Sequence, residues 1–133
     1  MSPLFKKKEI FKVKSVPVDP SSMPQPSTVD DYVKRGIAYY ARKQYKEAEA
    51  DLTKAVSLNG GNIDSYYSLG MVLKAMNKKD AAVSAFTQAI NLITARPDAS
   101  EVKYDMLRRL ALGHVNEITQ GDWNLEKEIW KRV

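Results

Sequence analysis

GIAYYARKQYKEAEADLTKAVSLNG, residues 36–60, is followed at residues 70–94 by GMVLKAMNKKDAAVSAFTQAINLIT. Gly36/Gly70, Ala41/Ala75, Ala48/Ala82, Thr53/Thr87, Ala55/Ala89 and Leu58/Leu92 recur at one constant offset of 34 residues. A fixed period of this length marks a structural unit written twice, each copy packing on the next because one alone cannot bury its apolar face. Within each copy, apolar residues recur every three or four positions, the helical period. In the first, Val33, Gly36/Ile37 and Tyr40 precede a break at Arg42 to Gln44, and Ala48, Leu52 and Ala55/Val56 follow it. In the second, Tyr66, Leu69, Gly70 and Leu73 precede a turn at Asn77, and Ala82, Phe86 and Ala89/Ile90 follow. Each copy therefore reads as two short helices joined by a tight turn. Ser27 and Thr28 offer caps to the first helix, and Asp30 and Asp31 suit its positive end. Asn59, Gly60, Gly61 and Asn62 are expected to stop the second helix through left-handed conformations that Gly and Asn tolerate.

The small residues have a packing reason. Glycine and alanine let two helix axes approach, and a large residue between two alanines fills the space left over. With Tyr32, Gly36, Tyr39, Ala48, Leu52 and Ala55 in one copy and Tyr66, Leu69, Gly70, Leu73, Ala82, Phe86 and Ala89 in the next, the pattern resembles the tetratricopeptide repeat. Two features depart from it. Arg35 stands where the pattern has leucine, as though the first helix had no preceding neighbour on that side, and the closing proline is replaced by Gly60 and Thr94.

After Thr94 the register slips, and the next Leu-Gly pair is Leu112-Gly113, 43 residues beyond Gly70. Asp98 and Glu101 after Pro97 resemble a capping box opening a long helix through Val102, Met106/Leu107, Leu110/Ala111, His114/Val115 and Ile118. Gly121, Asp122 and Trp123 make a turn, and Leu125, Ile129 and Val133 supply the buried stripe of a last helix. The resemblance thus implies an all-α, right-handed superhelix of stacked antiparallel helix pairs, with two clear units and a divergent third pair as C-terminal cap. Trp123 and Trp130 pack in that cap or, left exposed, mediate self-association.

The chain divides at residue 28. Residues 29–133 form the repeat domain, and residues 1–28 form a basic, Pro/Ser-rich tail and linker. SVPVDPSSMPQPST, residues 15–28, contains four prolines and four serines and favours extended conformations over helix. Ahead of it Leu4, Phe5, Ile10, Phe11, Val13 and Val16 alternate loosely with lysines, which is apolar enough to dock on something. The tail carries five lysines against Glu9 and Asp19, and so +3 of the net +5. A domain this close to neutral argues against a broad nucleic-acid footprint.

The 133 residues hold no cysteine, which excludes thiol nucleophiles, disulfides and zinc thiolate sites. Neither a secretory signal pattern nor an 18-residue apolar run is present, so a soluble, cytoplasmic protein is expected. The single histidine, His114, lies within a helical pattern with no triad partner at an evident spacing, and is read as a packing or groove residue. No metal-ligand cluster or phosphate loop is evident, so no cofactor is expected and an enzyme ranks last.

What the resemblance implies is a concave groove lined by the first helix of each pair, suited to an extended peptide or a helix. Carried over by position, its lining is Val33, Ile37 and Tyr40, then Tyr67, Met71 and Lys74, then Leu110, His114 and Glu117. One branch of the family grips acidic chaperone tails with a two-carboxylate clamp of Lys and Asn. The matching positions here are Val33, Ile37, Ser68, Leu107 and Ala111, so that clamp is absent and an apolar protein segment is the expected ligand. The chain's own tail is one such segment. The function implied is that of a non-catalytic adaptor or assembly factor. The alternative is a tail-driven binder of nucleic acid or anionic membrane, with the repeats as scaffold.

Overall fold

The computed structural model describes residues 18–123. Five α-helices follow one another: α1 Val29–Ala41, α2 Tyr45–Leu58, α3 Ile63–Ala75, α4 Lys79–Thr94 and α5 Val102–Gln120. A single 3-10 turn, Pro20–Ser22, precedes them, and no strand occurs among the described residues. Consecutive helices pack in chain order, and α1 also reaches α3, which makes the arrangement a stack of hairpins. Leu125, Ile129, Val133 and Trp130 lie outside the described residues, as do the lysines and apolar groups of residues 1–17.

Helix α1 opens on a true capping box. Thr28 accepts a hydrogen bond from the Asp31 amide at 3.1 Å, and the Asp31 carboxylate accepts from the Thr28 amide at 3.3 Å. Helix α3 opens on Asn62, whose side-chain oxygen accepts from the Ser65 amide at 2.8 Å and from its hydroxyl at 2.9 Å.

Inside each hairpin the glycines act through closeness. A Cβ on Gly36 would lie 2.8 Å from Leu52 Cγ, and one on Gly70 would lie 2.8 Å from the Phe86 ring, both inside contact distance. Leu52 and Phe86 are fully buried, each between fully buried alanines, Ala48 and Ala55 or Ala82 and Ala89. Burying either side chain contributes roughly 1.5–3 kcal/mol, the largest local terms in the stack. The first cluster joins Val33, Ala48, Leu52 and Ala55 to Val72 of α3, and the second joins Leu73, Ala82, Ala85 and Phe86 to Ala111 of α5. Leu69 packs against both and stitches them together.

Three expectations are corrected. Helix α2 ends at Asn59 in an extended conformation, with φ −151° and ψ 99°, and neither Gly60 nor Gly61 is left-handed. Instead the Asn59 side chain accepts from the Gly61 amide at 2.9 Å. The left-handed residues are instead Gly121 (φ 81°), which ends α5, and Lys43 (φ 61°) and Asn77 (φ 60°), each at the turn within a hairpin and 34 positions apart. Second, Asp98 does not cap α5, because Arg96 holds its carboxylate at 2.7 and 2.9 Å. Arg96 also lies over the Tyr104 ring, 4.2 Å from its centre, and so ties the connection to α5. Arg35 lies on the outermost described helix, as its place at the leucine position suggests, and it also has a partner. Its guanidinium grips Asp51 of α2 through two hydrogen bonds of 2.7 and 2.8 Å, and the Asp51 residue is only 5% exposed.

The third concerns the Pro/Ser-rich stretch. From Val18 on it is docked: Pro20 and Pro26 are buried, and the 3-10 turn rests on α1. Ser21 holds the Asp19 carboxylate through its hydroxyl and amide and lowers its pKa, and the Arg42 cation at the end of α1 adds a smaller pull in the same direction. With Thr28 at the start of α1 and Asp19 near its end, the stretch runs back along the helix, antiparallel to it.

Candidate functional site

Helices α1 and α3 present neighbouring faces because each is the first member of its pair. Between them lies a cavity of about 170 Å³ lined by Ile37 and Tyr40 of α1, by Tyr67, Ser68, Met71 and Val72 of α3, and by Leu52 of α2 as its floor. No lining residue is charged. Ile37 is 48% exposed, unusual for an isoleucine on a packed helix, while Tyr40 leans on Tyr45 with ring centres 5.8 Å apart. Tyr67 meets Phe86 edge-on at 5.6 Å, which fixes the ring that forms one wall. Burial raises the Tyr67 pKa first and Tyr40 adds a smaller Coulombic push, so its phenol stays neutral.

Beside the cavity a band of rings runs from Tyr67 toward α5. His114 stacks on Phe86 at 5.0 Å with an interplanar angle of 12°, meets Tyr67 at 6.0 Å, and receives the Trp123 indole edge at 4.7 Å. The ammonium of Lys74 has only protons to offer, so it donates to His114 Nδ1 at 3.0 Å and to the Glu117 carboxylate at 2.9 Å. Burial pushes the His114 pKa down, Lys74 pushes it further, and Glu117 opposes them. The imidazole is thereby held neutral, with its proton on Nε2.

Of the nine residues expected to line the groove, Ile37, Tyr40, Tyr67 and Met71 share the cavity. Lys74 and Glu117 do not line it but border a separate hollow with Asn77, Lys79 and Ile118, and His114 touches the cavity's wall only through the Tyr67 ring. Val33 is 8% exposed and belongs to the first core cluster, so it offers almost no surface to a ligand. Leu110 lies with Val102 and Met106 at four-residue spacing on an exposed stripe of α5, and is not among the residues lining the cavity. Spacing assigns Leu52 to the core and gives Val72 no role, and both turn out to be buried core residues that also line the cavity.

A second hollow, of about 390 Å³, lies on the other side of Ile37, between Val18 and Met23 of the docked stretch and Lys34, Ala38 and Ala41 of α1. Ile37 forms a wall of both hollows. The small Ala38 and Ala41 flanking Ile37 were the signal in the sequence.

Among the described residues, no cluster of three or more His, Asp or Glu could hold a metal ion, and no helix is long and apolar enough to cross a membrane. Two models of the tetratricopeptide repeat match consecutive stretches of the chain, residues 29–62 and 63–95. The chain belongs to the tetratricopeptide repeat family. The matched spans coincide with the hairpins α1–α2 and α3–α4, and the all-helical stack is the tetratricopeptide architecture. No curated protein matches the chain. Tetratricopeptide repeats are, in general, modules of protein–protein interaction, and that coarse function attaches to this chain through both matches.

Helix α5, which lies beyond both matched spans, departs from α1 and α3 at one contact. Gly113 of α5 corresponds to Gly36 and Gly70, and the space beside it is filled by the indole of Trp123, only ten residues further on. The Asn116 amide donates to the Trp123 carbonyl at 3.0 Å and holds that turn back against α5.

Proposed function

We propose that the protein is a non-catalytic adaptor or assembly factor that binds an apolar protein segment in the groove between α1 and α3. The observation that carries this reading is the cavity bounded by Ile37, Tyr40, Tyr67 and Met71, which is open, aromatic and without a charged lining residue. Such a surface gains from burying apolar side chains and has no counter-charge for an acidic ligand. Its one flexible, polarizable wall, Met71, suits irregular apolar shapes. His114 serves here as a stacked ring beside the groove, and a cytoplasmic location accords with a cysteine-free chain.

The test is an array of natural peptide segments probed with the full chain. Apolar segments are expected to bind, and Met71→Glu or Tyr67→Ala to weaken them at least tenfold while far-UV circular dichroism is unchanged. Binding that ignores both substitutions, yet falls with salt and with Lys6→Ala, Lys7→Ala and Lys8→Ala, would replace this reading with the tail-driven nucleic-acid or membrane binder.

A further inference from the structure

We infer that the groove is first occupied by the chain's own N-terminal segment, residues 4–16, laid across Ile37 into the cavity between α1 and α3, so that a partner must displace it. The inference rests on the groove reading above and adds its regulation.

The geometry comes from the docked stretch. It runs antiparallel to α1, from Thr28 at the start of the helix to Asp19 beside Arg42 at its end, and thus delivers Val18 to the end that carries Tyr40. Val18 and Met23 already share a hollow with Ile37, and the opposite side of Ile37 is the groove. Packed helix axes lie about 8–10 Å apart and an extended residue spans about 3.3 Å, so three or four residues beyond Val18 suffice to cross from α1 to α3. The residues in reach include Val16, Val13, Phe11 and Ile10, with Phe5 and Leu4 further on. An uncharged lining and an apolar, aromatic segment match in chemistry. Lysines between those groups stay in water while the apolar side chains turn inward.

Tethering settles the competition. A short flexible connection gives an effective concentration near a millimolar, so even a segment affinity of ~0.1 mM keeps the groove mostly closed and weakens an outside ligand by about tenfold.

The absence of cysteine allows a unique spin label at Lys8→Cys in the full chain. The amide signals of Tyr40, Tyr67 and Met71 are expected to lose intensity beside the oxidised label and to recover when Phe5→Ser and Phe11→Ser are added. The same double variant should bind array peptides about tenfold more tightly. Unchanged groove intensities would overturn the inference. So would losses seen only when spin-labelled chain is mixed with unlabelled ¹⁵N chain, since a second copy would then supply the segment. If the label broadens the groove while no peptide binds, self-docking stands and the partner-binding reading fails. Peptides that bind the groove without any broadening give the reverse.

Discussion

The two registered repeats solve one packing problem with different chemistry. Arg35 and Asp51 of the first correspond, 34 residues on, to Leu69 and Ala85 of the second. In the first hairpin the slot holds a two-bonded ion pair whose side chains are 20% and 7% exposed. In the second, Leu69 is pressed between both core clusters and Ala85 is buried. The second repeat has helices on both sides, and an ion pair there would have to be desolvated from both. The first stands at the end of the stack, where water still reaches the guanidinium and the cost of burial is partly relieved. The glycine-on-large contact beside the slot is the same in both, so hairpin spacing is independent of how the slot is filled.

The widest test of that comparison removes the large residue itself. Phe86→Ala should cost about 4 kcal/mol and Leu52→Ala about 3 kcal/mol in urea denaturation, since the ring also supports Tyr67 and His114. Equal losses would mean that the aromatic band adds nothing. Next comes the slot. Asp51→Ala alone should cost about 2–3 kcal/mol by stranding a partly buried guanidinium, whereas Arg35→Leu with Asp51→Ala, which writes the second repeat into the first, should return to within about 1 kcal/mol of the parent. A double variant as unstable as the sum of its parts would show that the two slots are not interchangeable.

A smaller difference lies in the turns. Lys43 and Asn77 are both left-handed, but lysine tolerates that region less well than asparagine. Lys43→Gly should stabilise by about 0.5–1 kcal/mol, and Asn77→Gly by half of that or less.

The smallest effect is confined to the second repeat and its neighbour α5, where His114 sits beside Lys74 and Glu117. The folded protein binds a proton at His114 less readily than the unfolded chain, so its contribution is whole above the ordinary histidine value of 6.5 and is lost as pH falls from there through the lowered one. Urea midpoints at pH 5.5 and 7.5 should differ, and His114→Gln should narrow the gap.

Hairpins, their order and four of the seven residues that line the cavity were legible because the offset of 34 aligns glycine with glycine and large residue with large residue. Depth was not. Val33 falls on the expected face by spacing, yet α2 closes over it, and spacing reports direction without distance. The pairing of Arg35 was hidden because its partner lies 16 residues away on another helix, although the mismatch of Asp51 with Ala85 marked the place. Asp98 carried a cap signature that Arg96 claims, and two nearby groups competing for one carboxylate look alike in a string of letters. Proline and serine in residues 15–28 signal extended backbone correctly at most positions, but say nothing of whether that backbone rests on a surface.

The sequential packing of the helices bears on how the protein is born. Most contacts among the described helices join neighbours in the chain, with α1 on α3 the longer reach, so little loop entropy stands before the folding barrier and the stack belongs with fast-folding topologies. On a ribosome the first hairpin emerges early, but its core lacks Val72 until α3 follows. Synthesis therefore closes the molecule hairpin by hairpin, each one sealed by the next to leave the exit tunnel.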